Sequence, residues 1–496
     1  MQRKNFVDRI SKMKTLEKEY NPNESSLVII YGRRRVGKTS LINEFLKSHP
    51  AANSLYFLAT QESELQNLKA FRQQVAELTG NELLTKSDAD WLTTLKIFAE
   101  FRTETRKILV LDEFQYLGNA SNAFTSIIQK AWDTILKDSN IMLILCGSLV
   151  TLMKQQTLDY SSPLYGRRTA QIKLKQIRFP YYGEFSPEKT EEDLVPFFAV
   201  TGGVPKYIES FENASNIYDA IEKNVLNAQS YLYEEPYFLL QNEVKEIGSY
   251  FSLIKAISMG NRKLSDISAN LGVRQTSLTK YLKVLTDLDL VEREIPVTEN
   301  KPEKSRSGLY RITDNFMAFW FQFVYPYRTY LERGETEYVM SQIKQKFIQN
   351  YVSYVYEDIC RGKMWEFAFS GLWDFRFDRL GRYWGSLCGE VDILALDTDG
   401  KHMIIGECKY SDGEKALSVL HDLQAKADVL SKHTMSESTK YIIFSKSGFT
   451  KGLIDEAKSN PDLSLVTGLR NNQAYQIHNT PSQNRETVRL PCHLLF

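Results

Sequence analysis

Cysteine is scarce in this sequence, and what there is stands badly for cross-linking. Cys146, Cys360, Cys388, Cys408 and Cys492 are scattered and odd in number. Their spacing is unlike that of metal ligands, so neither a disulfide framework nor a zinc cluster is expected. No apolar run reaches the roughly 18 residues that a membrane-spanning helix needs. The first ten residues are polar and charged, without the apolar stretch of a secretion signal. These absences lead to the expectation of a cytoplasmic protein with no membrane partner. An excess of one charge is lacking too: the formal net charge is +1, so contact with nucleic acid would have to rest on local patches. There is no internal repeat and no low-complexity segment. What remains is 496 residues of ordinary soluble composition, long enough for two to four domains with several cores.

To about residue 225, short apolar runs alternate with helical patterns. Residues 26–31, 55–58, 108–111, 141–145 and 171–174 read as strands. Between them Leu65, Leu68, Phe71, Val75 and Leu78 recur at helical spacing, as do Phe124, Ile128, Trp132 and Ile135. Continuous apolar strands alternating with helices predict a parallel sheet covered on both faces. Residues 226–330 read as helices and then a hairpin, and aromatics crowd 316–330, where domains would pack. The part 335–470 reads as a helix at 347–360, strands at 391–396 and 402–409, a helix at 417–430 and a strand at 441–444. Another helix and a strand at 463–466 follow, and 471–496 is a weakly patterned tail.

The strongest local signal is Gly32-Arg33-Arg34-Arg35-Val36-Gly37-Lys38-Thr39-Ser40, set between the first strand and a helix. A triphosphate needs many donors converging on a small volume. A glycine-containing loop running into a helix N-terminus supplies backbone N–H groups and the positive end of the helix dipole. In that pattern Lys38 reaches the outer phosphates and the Thr39 hydroxyl ligates Mg²⁺. Asp112 ends the apolar run 108–111, where a carboxylate would hold the magnesium through water. Glu113 follows it and is placed to act as general base. The intervening strand at 55–58, with an acid after Asp112, points to the additional-strand, catalytic-glutamate branch of P-loop ATPases. Ser148, closing the fourth strand, is a candidate γ-phosphate sensor. Arg167 and Arg168 are alternative candidates for neutralising transition-state charge, since arginine is permanently charged and fork-shaped.

These pieces, with Phe6-Val7-Asp8-Arg9, Leu111 to Leu117, Leu164 to Arg168 and Thr201-Gly202-Gly203-Val204-Pro205-Lys206-Tyr207, resemble a prokaryotic ATPase family common in archaea, within the AAA+/STAND assemblage. The resemblance implies an ATPase core with a helical lid over residues 1–225, using ATP and Mg²⁺. It also implies a fused C-terminal domain that is nuclease-like and of unknown function.

Two further modules are readable. Residues 264–285, with a tight turn at Gly272, and the segments 290–294 and 309–312 around a polar loop have the layout of a winged helix-turn-helix over 226–330. Gln275, Thr276, Lys280 and Lys283 on its second helix, and Lys301, Lys304 and Arg306 in its wing, are candidate DNA contacts. Nearby Asp287, Asp289, Glu292, Glu294, Glu299 and Glu303 dilute that charge, so DNA contact and an intramolecular switch both stand as readings. In the last module Asp392, Glu407 and Lys409 would meet if their strands are neighbours. Two carboxylates bind a hard cation and a lysine activates water. Glu357 on the preceding helix is a further candidate ligand. The set resembles the PD-(D/E)XK restriction-endonuclease-like fold, which implies a second Mg²⁺ or Mn²⁺ ion over residues 335–470. The expected class is therefore α/β multidomain: parallel-sheet ATPase with lid, winged helix, nuclease-like domain. The expected function is an ATPase gating a DNA-acting C-terminal domain. The alternative is a nucleotide-dependent signalling or scaffold switch that binds DNA or a protein partner without cutting.

Overall fold

A computed structural model describes residues 6–20, 24–102, 104–469 and 476–478. The first sheet contains β1 (Ser26–Tyr31), β2 (Asn53–Leu58), β3 (Lys107–Asp112), β4 (Ile141–Gly147) and β5 (Ala170–Lys173). All pairs are parallel, in the order β2-β3-β4-β1-β5. β1, β3 and β4 are buried along their whole length, which is why they read as unbroken apolar runs. The strand that separates β1 from β3 is β4. The segment 55–58, to which the sequence assigns the additional-strand role, belongs to β2 and lies at the sheet edge. In parallel sheets all strands end on one side, so Tyr31, paired with Gly147, and Asp112, paired with Leu58, share the carboxyl edge.

The middle of the chain is helical (Glu235–Glu243, Ile247–Ser258, Leu264–Leu271, Gln275–Asp287), then a hairpin of β6 (Val291–Glu294) and β7 (Leu309–Ile312). Gly272 ends the third of these helices in the left-handed conformation, φ 64°, the usual helix stop. The aromatic run 316–330 joins parts of the molecule. The Trp320 indole donates to the carbonyl of Tyr233 at 2.7 Å, and Phe316 packs on Tyr207 of the first part.

The C-terminal sheet has six strands: β8 (Arg379–Gly385), β9 (Gly389–Leu396), β10 (His402–Lys409), β11 (Ser438–Ser445), β12 (Leu463–Thr467) and β13 (Gln476–His478), in that spatial order. β8, β9 and β10 form an antiparallel meander, β10–β11 and β11–β12 are parallel, and β12–β13 is antiparallel. The sequence reading missed β8, because Arg379, Arg382 and two glycines break up any apolar alternation there. It also cut the preceding helix short. Thr336–Phe347 continues through a wider turn into Ser353–Ser370 as one helical rod. Of the tail 471–496 only 476–478 is described, so Cys492 and the remainder lie outside the described residues.

The cores are not all separate. One hydrophobic cluster runs from Leu27 and Leu143 through Phe211, Trp320 and Tyr356 to Ile404 and Leu469. A second fills the far face of the first sheet and a third the far face of the C-terminal sheet. Tyr410 also donates to the carbonyl of Glu192 at 3.0 Å, tying β10 to the helix Glu191–Thr201. No helix among the described residues is long and apolar enough to cross a membrane.

Candidate functional site

Past Tyr31 the chain turns sharply beneath β5. A Cβ on Gly32 would fall 2.3 Å from the carbonyl oxygen of Leu174, so only glycine fits there. The loop then passes through two left-handed residues, Arg35 at φ 70° and Gly37 at φ 93°, before the helix Lys38–Ser48 starts. Arg35 is not glycine, and such backbone strain concentrates at ligand sites. The Lys38 side chain is buried and donates to the carbonyls of Gly32 at 2.7 Å and Arg33 at 2.9 Å. An ammonium has three donors, so one remains for a phosphate. Burial pulls Lys38 below its ordinary pKa, against the attraction of Cys146, Glu113 and Asp112.

Facing this loop, Asp112 ends β3 with one oxygen accepting from the Thr39 hydroxyl at 3.4 Å and from the Tyr56 hydroxyl. Its other oxygen accepts from the backbone N–H of Glu113 at 2.8 Å. Glu113 is itself left-handed, φ 53°, which turns the chain off the strand. Its Oε2 accepts from the Ser148 hydroxyl at 2.7 Å and from the Gln115 amide. The donor set fits a nucleoside triphosphate with Mg²⁺. Thr39 and Asp112 supply hard oxygens already in contact, and phosphate oxygens and water complete the shell in such sites.

Comparison with known proteins agrees with this geometry. Residues 6–211 match the family described as an ATPase domain predominantly from Archaea. Residues 320–421 match one described as Archaea bacterial proteins of unknown function. Uncharacterized protein MJECL04 of Methanocaldococcus jannaschii is 32% identical over 407 residues, 82% of this chain and 88% of that protein. The chain belongs to this archaeal ATPase family. A shorter relative in the same organism, the uncharacterized ATP-binding protein MJ0423, is 51% identical over 43 residues, 9% of this chain and 73% of its own length. Among solved structures, the Walker-type ATPase PabY2304 of Pyrococcus abyssi aligns with a TM-score of 0.49 at 20% identity, covering 64% of this chain and 97% of that one.

In this ATPase the loop arginines turn their side chains to protein partners. Arg33 forms a buried ion pair with Asp314 at 2.8 Å, just beyond β7. Arg34 donates to the Tyr116 hydroxyl at 2.8 Å. Arg35 pairs with Glu235 at 2.5 Å and lies over the Tyr231 ring. What Arg33, Arg34, Arg35 and Val36 offer a phosphate is therefore backbone N–H. Ser40 is exposed in the first turn of the loop helix. Arg167 is committed to Asp133, with bonds of 2.8–3.1 Å. The Nη1 of Arg168 is instead buried without a hydrogen-bond partner, and its charge is felt by the Tyr31 hydroxyl next to the loop.

Three residues at this site escaped sequence reasoning: Tyr56, Gln115 and Glu243. Glu243, on the helix Glu235–Glu243, accepts from the backbone N–H groups of Val150 (3.1 Å) and Thr151 (3.4 Å) just past Ser148. Burial pushes its pKa up. Gln115 stands inside the run Leu111 to Leu117, so its position is visible in the sequence though its role is not. Tyr56 is a half-buried residue of the short apolar run that ends β2. Nothing in the sequence around Glu243 marks it.

The candidate DNA contacts Gln275, Thr276, Lys280, Lys283, Lys301, Lys304 and Arg306 are all exposed. The far end of the helix Gln275–Asp287, which carries the first four, docks on the ATPase, Asp287 pairing with Lys154 at 2.7 Å, and Asp289 just beyond with Lys173 at 2.5 Å. In the C-terminal sheet Ile393 pairs with Gly406, which brings Asp392 and Glu407 to adjacent positions one step further on. Asp392 accepts from the backbone N–H of Cys408 at 2.9 Å. Glu407 pairs with Lys409 at 2.6 Å and with Lys426 at 3.6 Å. Glu357 lies 3.7 Å from both Arg361 and Arg382. Burial, reinforced by Asp392, pushes Glu357 up to about 8, and burial and Glu407 raise Asp392. No group of three or more His, Cys, Asp or Glu among the described residues is arranged to hold a metal ion, and that includes Glu357, Asp392 and Glu407.

Proposed function

We propose that this site hydrolyses ATP, with Glu113 as the base that takes a proton from the attacking water. Lys38 and the backbone N–H groups of the loop hold the phosphates. Thr39 and Asp112 hold Mg²⁺, which when bound neutralises charge on the phosphate oxygens. Ser148 fixes Glu113 beside the place the outer phosphate takes, and Arg168, with an unspent N–H, is better placed than Arg167 to meet developing charge. The observation that carries this reading is the hydrogen-bonded line Thr39–Asp112–Glu113–Ser148 next to a buried lysine. It joins three separate stretches of chain at one sheet edge. Glu113→Gln is expected to bind ATP normally and turn it over about 10²–10⁴-fold more slowly, while Lys38→Ala loses binding. Wild-type turnover by Glu113→Gln would remove Glu113 from the chemistry.

A second reading concerns the output: ATP state gating a DNA-acting C-terminal domain. Its support is the strand arrangement β8-β9-β10-β11, with β9 antiparallel to its neighbours, and Asp392, Glu407 and Lys409 just past the Ile393–Gly406 end of the β9–β10 pairing. A run of ion pairs also links the two regions. Arg33 holds Asp314, Arg311 of β7 holds Asp358 at 2.6 Å, and Asp358 neighbours Glu357. Cutting of plasmid DNA with Mg²⁺ or Mn²⁺ that disappears in both Asp392→Ala and Lys409→Ala would support this reading. Unchanged cutting in either would leave the signalling or scaffold alternative.

A further inference from the structure

We propose that Gln115 is a positioning residue for ATP hydrolysis: together with Ser148 it pins Oε2 of Glu113, so that Oε1 is the oxygen turned to the attacking water. The inference rests on the reading of Glu113 as the base. Gln115 has no solvent exposure at all, yet it is polar and follows a core residue, Phe114. Its amide nitrogen donates to Glu113 Oε2, the atom that also accepts from Ser148. No hydrogen bond reaches Glu113 Oε1 from the described residues.

Gln115 is held firmly for this task. Gln156 donates to its main-chain carbonyl at 3.2 Å. Its side chain passes directly beneath Gly147, where a Cβ would lie 2.2 Å from Gln115 Oε1 and 2.3 Å from Met153 Sδ. The last residue of β4 therefore has to be glycine for Gln115 to reach Glu113. The remaining oxygen of Gln115 is buried without a hydrogen-bond partner. A buried amide with half its capacity unused is a poor choice for packing, because a methionine of similar length would leave nothing unsatisfied. Stability does not explain glutamine here; orientation of Glu113 does. Two donors on one oxygen restrict the carboxylate to a single rotation, which is what a base needs if its free oxygen is to meet a water in line with the outer phosphate.

The test compares Gln115→Met, Glu113→Gln and the double variant in the full chain. Phosphate release, affinity for a fluorescent ATP analogue and thermal midpoint are measured for each. Gln115→Met is expected to lower kcat roughly tenfold to 100-fold, part of what general-base catalysis contributes. Nucleotide affinity should stay within about twofold and the thermal midpoint should not fall. Because Gln115 acts through Glu113, the double variant should turn over no more slowly than Glu113→Gln alone, measured in single turnovers. Ser148→Ala removes the other donor without touching the packing at Gly147 and carries the same expectation if Gln115→Met does not fold. Additive losses in the double variant, or a full-rate Gln115→Met beside a slow Glu113→Gln, would overturn the proposal alone. A full-rate Glu113→Gln would overturn it together with the reading of Glu113 as base.

Discussion

Asp112 and Glu113 at the ATPase site are held by neutral donors: hydroxyls of Thr39, Tyr56 and Ser148, the amide of Gln115 and a backbone N–H. In the C-terminal part Glu407 of β10 sits on two lysines and Glu357, on the helix Ser353–Ser370, between two arginines. Neutral donors fix where a carboxylate points and leave its charge to be spent on a cation or a proton. Ion pairs spend the charge inside the protein. The first arrangement is ready for Mg²⁺ as it stands. The second binds a cation only by exchanging lysine or arginine for it.

Arg33 is where this division is most easily broken, because its place in the loop suggests nucleotide and its pairing suggests architecture. Asp314 is 1% exposed and caps the helix Asn315–Phe319 through its other oxygen, Met317 N–H at 2.7 Å. Arg33→Met leaves that carboxylate buried and unpaired, which costs about 3–5 kcal/mol. Chemical denaturation should register this loss, and Arg33→Met with Asp314→Asn should recover much of it while keeping the cap. Unaltered stability with a sharp fall in ATP affinity would make Arg33 a phosphate ligand instead.

The same contrast explains what could be read from the sequence. The loop 32–40 and the pair Asp112-Glu113 are contiguous, and their strands are buried on both faces, so motif and hydropathy coincide. Ser148 was visible because it ends such a strand. Tyr56, Gln115 and Glu243 were not assigned, since each acts through a partner far off or on the opposite side of a turn. The sequence does not say where the loop arginines turn their side chains. Spacing reveals that they line a phosphate loop, but only folding reveals that Asp314 and Glu235, some 200 residues or more along the chain, take Arg33 and Arg35. β8 was missed because its burial is partial and its residues are charged.

A smaller effect tests the C-terminal side. The carboxyl of Glu357 is pushed up to about 8 from an ordinary 4.5. Between those values the folded chain keeps a proton that the unfolded chain has lost. Stability from this group is therefore greatest below about pH 4.5, falls as pH rises through the window, and is level again above about 8. Glu357→Gln stays neutral throughout. The wild-type thermal midpoint should fall relative to that variant between pH 5 and about 8, and saturating Mg²⁺ should narrow the gap if Glu357 and Asp392 take a cation. Parallel curves would mean that Arg361 and Arg382 already neutralise Glu357.

The smallest expected effect decides the role of the middle module. On sequence, six acids dilute its basic face, but in the fold four of them are already matched. Asp287 pairs with Lys154, Asp289 with Lys173, Glu292 with Arg311, and Glu294 with Arg262. The exposed Lys280 and Lys283 thus keep more free charge than composition indicates. If they meet DNA phosphates, replacing either by alanine should weaken binding to any sequence alike. Each loss should also reduce the slope of log affinity against log salt by about 0.9. A slope unchanged in both variants would assign the lysines to solvent and the helix to its other end, where Lys154 and Lys173 bind it to the ATPase core.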